Sequence, residues 1–345
     1  MRVVIADPPA FTPWYDHELA AALARAGAEV ELATSRFRFG DAPQPDGYRR
    51  SERFYPLSSR VFRRSKARLP LKVVEHLAVM ASLARLRTDV LHVQWLALPE
   101  LDVRVRFRSP SVFTAHDLLP RRTAAKRDLW RRLFSRFDRV VVHSEYGRGV
   151  LAELGVDARV IPLPVSASTV TRADNGQTLL ALGVIRPYKG LADAIEVTRR
   201  LQDTRLLVAG DPAMPLDGLR DAPRTEWRLG YLPDAELDRA LSESTVALFP
   251  YRPELDQSAA LLQALGAGVP AVVYDVGGMS EPIRRFGAGR VVPAGDIDAL
   301  TEATRELLDD PGALAAARAG TERARAQLTW DASAAQHLAL YRELA

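Results

Sequence analysis

Short apolar runs alternate with helical patterns along most of this chain, and this alternation is the feature that most limits its fold. The runs Arg2–Ala6 and Val30–Thr34 have strand length and are rich in β-branched or apolar residues. Between them, Leu19, Ala22 and Leu23 share one helical face, and Gly27 ends the pattern. Strands separated by helices predict parallel βαβ units and hence an α/β fold with doubly wound sheets.

The same pattern continues to the end of the chain. Further strands are predicted at Val90–Gln94, Ser111–Ala115, Arg139–His143, Thr178–Leu182, Arg205–Ala209, Thr245–Phe249 and Ala271–Tyr274. Helices are predicted near 70–87, 122–136, 145–154, 190–202, 234–242, 257–266, 280–285, 296–309 and 311–327. Because the polar, aperiodic segment 163–176 has the character of a linker, we predict two domains, 1–165 and 166–345, with the last helix free to pack back on the first.

Composition excludes several classes of protein. The 345 residues include no cysteine, which rules out disulfides, thiolate metal sites and cysteine nucleophiles and is typical of a reducing cytoplasm. No window approaches about 18 uninterrupted apolar residues, so no transmembrane helix is expected. The N-terminus is interpreted as a first strand and not as a signal peptide. Residues 1–165 carry a net charge of +10 and the remainder −6, which indicates an anionic partner for the first domain.

Five motifs of the second half occur in a characteristic order. They are GVIRPYKGLADAI, LLVAGDP, RLGYLPDAELDRAL, LFPYRPELDQSAALLQALGAGVPAVVYDVGGMSEPI and RVVPAGDIDALTEAT. Together they resemble the GT-B-fold retaining glycosyltransferases of family 4, and FTAHDLLP and VVVHSEYGRGVLAELGV in the first half agree more loosely. The resemblance covers nearly all of the chain except about 35–68. It implies two Rossmann-like domains facing across a cleft.

The resemblance also implies an activity. The enzyme would transfer a hexose from a UDP- or GDP-sugar to a saccharide or lipid-linked acceptor, with retention of configuration and without a metal or other cofactor. A non-catalytic nucleotide-sugar-binding partner protein and another GT-B enzyme such as an epimerase are the alternatives. A Rossmann dehydrogenase is disfavoured because no GxGxxG follows the first strand.

The loop after the strand Thr178–Leu182 is the first candidate site. In the family, an Arg and a Lys of this loop offset the charge of the leaving diphosphate, and they correspond here to Arg186 and Lys189. The Arg stands two residues later than in the common form, where Val184 lies here. Gly183 and Gly210 are predicted to belong to the donor site. The alternative is a solvated basic turn.

The segment ELDQSAALLQALGAG is the second candidate. Its helix N-terminus offers free amides and a hydroxyl to a phosphate, through Gln257, Ser258 and Ala259. The family's two glutamates, separated by seven residues, fall on Leu255 and Gln263. Gln263 is expected to bind ribose hydroxyls, with Glu254 or Asp256 taking over the sugar contact. A polar residue on a helix surface is the alternative interpretation of Gln263.

Histidines and paired aspartates complete the candidates. His116 follows a first-domain strand, where the resemblance implies a hydrogen bond to a hydroxyl of the donor sugar; a satisfied buried histidine is the alternative. The other histidines lack metal-ligand spacing, so no metal site is predicted. Asp296 and Asp298 are interpreted as a helix start, and Ser144 as a helix N-cap.

Two further segments indicate partners. The N-terminal loop DPPAFTPWYDHE is stiff and aromatic, which suits contact with sugar or lipid. The alternative is that this loop only covers the end of the sheet. The region 35–68 is predicted to be a long loop. Its basic part, 49–68, could meet an anionic membrane surface, which would place the protein at the inner face of the membrane. The same basic surface would also include Arg121, Arg122, Lys126, Arg127, Arg131 and Arg132. A solvated arginine-rich surface is the alternative, and no pattern indicates nucleic-acid binding.

Overall fold

The fold divides into two compact units in a computed structural model that describes residues 1–37, 42–58, 68–119, 123–165, 168–252 and 257–344. The first unit comprises Met1–Pro162 together with Trp330–Ala345, and the second comprises Leu163–Thr329. The boundary therefore lies three residues before the predicted one. The last predicted helix, 311–327, stays in the second unit, and a further C-terminal helix that was not predicted belongs to the first.

The first unit is a parallel sheet with helices between its strands. Its strands are β1 Arg2–Asp7, β2 Glu29–Ser35, β3 Arg49–Phe54, β4 Val90–Val93, β5 Ser111–Thr114, β6 Arg139–Val142 and β7 Ala158–Val160. Its helices are α1 Pro13–Arg25, α2 Arg68–Arg85, α3 Pro99–Asp102, α4 Arg127–Phe134, α5 Glu145–Ala152 and α12 Trp330–Arg342. The strand order β3-β2-β1-β4-β5-β6-β7 reverses direction at β1, which makes the sheet doubly wound.

The second unit repeats this architecture. Its strands are β8 Thr178–Leu182, β9 Arg205–Gly210, β10 Thr225–Leu229, β11 Val246–Phe249, β12 Ala271–Tyr274 and β13 Gly289–Val292. Its helices are α6 Leu191–Arg200, α7 Asp234–Glu243, α8 Ala259–Gly266, α9 Ser280–Phe286, α10 Ile297–Asp309 and α11 Pro311–Gln327, and a 3-10 turn spans Pro187–Lys189. The order β10-β9-β8-β11-β12-β13 is again parallel throughout. The predicted α/β class is confirmed.

The strands that the sequence predicted are the buried ones. All residues of β4, β5, β11 and β12 are buried, because helices cover both faces of a parallel sheet. This explains why these strands appear in the sequence as continuous apolar runs.

The prediction of a long loop over 35–68 is wrong for its middle part. Arg49–Phe54 forms β3, the edge strand beside β2, with Arg49 opposite Glu31. The buried Glu31 carboxylate accepts hydrogen bonds from Arg49 and from the Ser51 hydroxyl. Because a solvent-exposed edge strand needs no apolar run, the polar sequence of β3 gave no strand signal. Residues 38–41 and 59–67 lie outside the described part of the chain.

The described part of the predicted linker is attached to the second unit. The Asp174 carboxylate accepts hydrogen bonds from Arg172, Arg318 and the Thr245 hydroxyl. Its pKa is lowered because these two guanidinium groups, together with hydrogen bonds, outweigh its partial burial.

Candidate functional site

The loop between β8 and α6 approaches neighbouring backbone closely at two glycines. Gly190 has φ of +65°, and a Cβ there would lie 2.0 Å from the Pro250 carbonyl oxygen. Gly210 has φ of +153°, and a Cβ there would lie 2.2 Å from the carbonyl oxygen of Gly183. These contacts hold the loop against the ends of β9 and β11. Gly210, which was predicted as a donor-binding residue, therefore lies directly against the backbone of Gly183 in this structure.

Lys189 lies at the carboxyl end of β8, beside the start of α8. A Cβ at Gly183 would be 2.9 Å from Lys189 Nζ and 3.2 Å from the Ala260 Cβ, so Gly183 leaves the space that the ammonium occupies. Lys189 Nζ also lies 5.1 Å from the centroid of the Tyr251 ring. Among the described residues, no carboxylate is paired with this ammonium.

Burial changes the titration of Lys189. Desolvation, with a smaller contribution from the nearby charge of Arg186, lowers the pKa of Lys189 to about 8. Arg186 itself is exposed and has no ion-pair partner within the described ranges. Two cations without a counter-ion among the described residues thus lie in one loop, an arrangement that favours a bound anion.

Helix α8 contributes its N-terminus to the same place. The helix begins at Ala259, two residues later than predicted, because Ser258 is its N-cap and accepts a hydrogen bond from the Leu261 amide. The Tyr251 hydroxyl lies 3.4 Å from the Ser258 hydroxyl. Ala259 is exposed at the helix start. The positive end of the helix and the Lys189 ammonium are therefore close together.

Gln257 precedes this helix and has one free acceptor. Its Nε2 donates to the Gly278 carbonyl oxygen at 2.9 Å, whereas its buried Oε1 has no partner. Gln263 is half-buried on α8. Glu254 and Asp256, the other predicted donor contacts, lie outside the described residues. The proposed donor contacts of Gln257 and Gln263 stay predictions.

His116 lies in the first unit, within a row of polar side chains across three neighbouring strand ends. Its Nε2 lies 2.8 Å from Gln94 Oε1, and its Nδ1 lies 3.3 Å from His143 Nε2. His143 Nδ1 donates to the Ile161 carbonyl oxygen at 2.9 Å. Burial lowers the pKa of His116 well below its usual value and that of His143 to about 4, so both rings are neutral at pH 7.

Neutrality determines the direction of these hydrogen bonds. Gln94 Oε1 can only accept, so His116 carries its proton on Nε2 and donates to that oxygen, while His143 donates through Nδ1 to the Ile161 carbonyl. His116 Nδ1 and His143 Nε2, 3.3 Å apart, are then both unprotonated and do not hydrogen-bond to each other. A hydrogen bond between His116 and a sugar hydroxyl stays a prediction.

Sequence analysis missed a buried carboxyl pair near His116. Asp7 ends β1 and Asp16 lies in the first turn of α1; both are buried. Desolvation and the neighbouring Asp7 raise the pKa of Asp16 well above its usual value. Desolvation also raises the pKa of Asp7, so the pair holds a proton under conditions in which exposed aspartates are ionised. Thr12 connects them: its amide donates to Asp7 Oδ2 at 3.1 Å, and its hydroxyl lies 3.5 Å from both oxygens of Asp16. Only the three-dimensional structure shows that these two carboxyl groups are neighbours.

The predicted caps are confirmed. The Ser144 hydroxyl accepts from the Gly147 amide at 2.8 Å, and the Asp296 carboxylate accepts from the Ala299 amide at 2.8 Å. Asp298 is bound to Arg200 at 2.5 Å. Across the described ranges, no group of three or more His, Cys, Asp or Glu side chains is arranged to hold a metal ion.

Two family models match the two halves of the chain. The one described as Glycosyltransferase Family 4 matches residues 15–169, and the one described as Glycosyl transferases group 1 matches residues 176–310. The chain is 30% identical over 198 residues to a glycogen synthase of Mycobacterium tuberculosis, a match that covers 54% of this chain and 46% of the relative. The chain thus spans about half the length of that curated relative.

Solved structures show the same fold over the full chain. Sucrose-phosphate synthase from Thermosynechococcus elongatus matches with a TM-score of 0.80 at 19% identity, covering 100% of this chain and 99% of that one. Anabaena HepE, solved in complex with UDP and glucose, matches with a TM-score of 0.71 at 15% identity, covering 100% of both chains. With the two family models matched in order along two doubly wound parallel sheets, this chain belongs to the family 4 glycosyltransferases of GT-B fold.

Proposed function

We propose that this protein transfers a hexose from a UDP- or GDP-sugar to an acceptor, with retention of configuration and without a metal ion. The observation that supports this most is Lys189, a half-buried and desolvated ammonium beside the N-terminus of α8 with no carboxylate partner among the described residues. Such a cation is matched to a dianionic or trianionic ligand, and the diphosphate of a nucleotide sugar has that charge.

Each loop cation then has a separate role in the reaction. When the bond between the sugar and the diphosphate breaks, negative charge increases on the leaving phosphate. Lys189, held between Gly183 and Tyr251, meets this charge without having to reorganise, while the exposed Arg186 can close on the outer oxygens. These two cations would do what a divalent metal does in other transferases. The α8 amides bind the same group.

One sequence departure supports a second candidate, a non-catalytic nucleotide-sugar-binding protein. Gln263 replaces a family glutamate, and a neutral amide binds hydroxyls more weakly than a carboxylate does. The orphan Oε1 of Gln257 nevertheless offers a hydroxyl acceptor at the start of the same helix. The two candidates differ in turnover and not in nucleotide binding.

A thermal-shift experiment tests the donor site. UDP, GDP, ADP and dTDP are each added with and without EDTA; a ligand at about 100 times its Kd stabilises the native state by roughly 2.7 kcal/mol. One of UDP and GDP is expected to raise the Tm regardless of EDTA. Lys189→Ala should abolish the shift, whereas Lys126→Ala, at an exposed ion pair with Glu100, should leave it unchanged.

Nucleotide binding without turnover would favour the non-catalytic candidate. Donor hydrolysis or transfer that disappears in Lys189→Ala would exclude it. Proton NMR of the first product reports the anomeric configuration, and an inverted product would contradict the retaining mechanism.

We also propose that the first unit docks on an anionic membrane surface. On α2, Val73, Val74 and Leu77 are exposed, at 37%, 65% and 52%, and Leu57 is exposed at 57%. Leu57 is bound near this helix, since its amide donates to Glu75 Oε1 at 2.7 Å. In sequence this apolar face follows a run rich in arginine, a combination typical of interfacial helices. In the described part of the chain, no helix is long and apolar enough to cross a membrane.

Vesicle co-sedimentation tests the docking. Vesicles that contain about 30% anionic lipid should bind the wild-type protein, whereas the double variant Val74→Ser, Leu77→Ser should stay unbound. Tyr231→Ser removes an equally exposed apolar side chain from the second unit and serves as the control. Equal binding of both variants would contradict the proposal.

A further inference from the structure

Lysine is rare in this chain, which otherwise uses arginine for its positive charge. The sequence contains four lysines, Lys66, Lys72, Lys126 and Lys189, against 43 arginines. Lys189 is the single lysine of the second unit. A guanidinium stays protonated in proteins, whereas a lysine amine can lose its proton and become a nucleophile. The second unit therefore carries one lysine nucleophile, and this lysine lies in the loop after β8.

The surroundings of Lys189 favour the unprotonated amine. Its Nζ lies 5.1 Å from the centroid of the Tyr251 ring, and no carboxylate among the described residues is paired with it. Because desolvation lowers the pKa of Lys189 to about 8, about a tenth of this amine is unprotonated at pH 7. The side chain is only half-buried, so a small reagent can reach it.

The same place attracts phosphoryl groups. The exposed Arg186 belongs to the same loop, and its charge acts on Lys189. Helix α8 begins at Ala259, and the Ala260 Cβ and Lys189 Nζ lie 3.2 Å and 2.9 Å from the point that a Cβ on Gly183 would occupy. A phosphoryl group held by Arg186 and by the first amides of α8 would therefore lie beside a nucleophilic amine. This arrangement fits a reagent that carries both a phosphate and an activated carbonyl.

We propose that Lys189 is an acylation site, at which an acyl phosphate transfers its acyl group to Nζ and thereby closes the donor site. The amine lone pair attacks the carbonyl carbon and forms a C–N bond. The C–O bond to the phosphate breaks, inorganic phosphate leaves with the bonding electrons, and the nitrogen releases one proton to solvent. This inference rests on the proposed function, because it describes the regulation of the same site.

The product of this reaction is a neutral amide. It has lost the charge that faces the Tyr251 ring and that would offset a diphosphate. The added acyl group also occupies space beside the start of α8. Both effects oppose nucleotide binding, so we expect the acylated protein to bind neither UDP nor GDP.

Peptide mass spectrometry measures the acylation of each lysine after the full chain has been incubated with acetyl phosphate. Lys189 should be acetylated about tenfold faster than Lys72 at pH 7.5, and its rate should level off above about pH 8. Lys72 is the matched control, because it is also half-buried and its Nζ also lies 5.1 Å from a tyrosine ring centroid, that of Tyr55. An unmodified Lys189, or equal rates at the two lysines, would overturn the proposal.

An uncharged acetyl donor, N-acetoxysuccinimide, separates phosphate binding from the intrinsic reactivity of the amine. The ratio of the Lys189 rate to the Lys72 rate should be several-fold larger with acetyl phosphate than with this donor. Pyrophosphate should slow the reaction of acetyl phosphate at Lys189 and leave that at Lys72 unchanged. Equal ratios with the two donors would show a reactive lysine without a site for acyl phosphates, which contradicts the proposal.

The effect on nucleotide binding is measured with the triple variant Lys66→Arg, Lys72→Arg, Lys126→Arg, which keeps Lys189 as its single lysine. Acetylation of this variant should abolish the rise in Tm that UDP or GDP causes before treatment, and bound nucleotide should protect Lys189 from acetyl phosphate. If the rise in Tm persists after complete acetylation of Lys189, the closure of the donor site is wrong.

The acylation site and the proposed function fail in different ways. A rise in Tm with UDP or GDP in a protein whose Lys189 is not acetylated would remove the acylation site alone. Acetylation of Lys189 in a protein whose Tm no nucleotide raises would contradict the proposed function and leave Lys189 as an acylation site without a donor to exclude.

Discussion

The ammonium of Lys189 lies against the face of Tyr251, 5.1 Å from the ring centroid, where the described structure pairs it with no carboxylate. An aromatic face stabilises a cation less than an ion pair does, so burial still lowers the pKa of Lys189 to about 8. The charge on this side chain therefore depends on pH close to the physiological range.

Nucleotide affinity should fall as pH rises through about 8. Above this pH the free protein loses the Lys189 proton that a diphosphate requires, and the Kd should rise by up to about tenfold per pH unit. Calorimetric titration of UDP or GDP between pH 7 and pH 10 measures this slope. Lys189→Gln should bind more weakly with no such slope; a slope that persists in this variant would contradict the assignment to Lys189.

Gly183→Ala should damage the donor site beyond its effect on the backbone. At φ of +93° an alanine costs roughly 1–2 kcal/mol of stability, and its Cβ would lie 2.9 Å from Lys189 Nζ. Gly218→Ala is the matched control, because φ there is +76° and no atom lies within 4 Å of the added Cβ. We expect similar losses in urea unfolding for both variants but a loss of nucleotide affinity only for Gly183→Ala. Equal nucleotide affinities of the two variants would show that Lys189 moves away from the added Cβ without any loss of binding.

Asp16→Asn should stabilise the protein increasingly as pH rises. The pKa of Asp16 is raised in the folded state, so between about 3.8 and that higher value the folded chain holds a proton that the unfolded chain has lost. In this window the wild type loses stability with rising pH, by at most about 1.4 kcal/mol per pH unit, and the amide removes this loss. Urea unfolding at pH 4.5, 6 and 7.5 measures the difference, with exposed Asp128→Asn as control. A pH-independent difference would exclude the raised pKa.

Tyr55→Phe should destabilise the first unit. The Tyr55 hydroxyl is 2.6 Å from His76 Nδ1, and His76 Nε2 is 2.5 Å from Asp102 Oδ1; all three side chains are buried. Removing the hydroxyl leaves a buried ring nitrogen unpaired, which costs about 1–3 kcal/mol. The free energy of unfolding measures this, and Tyr231→Phe, 65% exposed, should change nothing. An equal effect of both substitutions would show that the hydrogen bond is not the cause.

Much of the molecule was predictable because its signals are local. Buried strands such as Ala271–Tyr274 need apolar side chains on both faces, and a helix start needs an oxygen within reach of its free amides, as Ser144 and Asp296 provide. The motifs and their order also predicted the GT-B fold and the family, through their resemblance to a known family.

The tertiary structure decided what depends on distant neighbours. The edge strand Arg49–Phe54 is defined by its pairing with the adjacent strand β2, and Trp330–Arg342 joins the first unit through contacts such as Arg25 to Asp331 at 2.8 Å. The proton on the Asp7 and Asp16 pair and the hydrogen bond from His116 to Gln94 exist only once strand ends meet. Sequence by itself determined most of the buried strands, their intervening helices, the family and the cation Lys189; packing determined the charge states, because desolvation and proximity act through space and not along the chain.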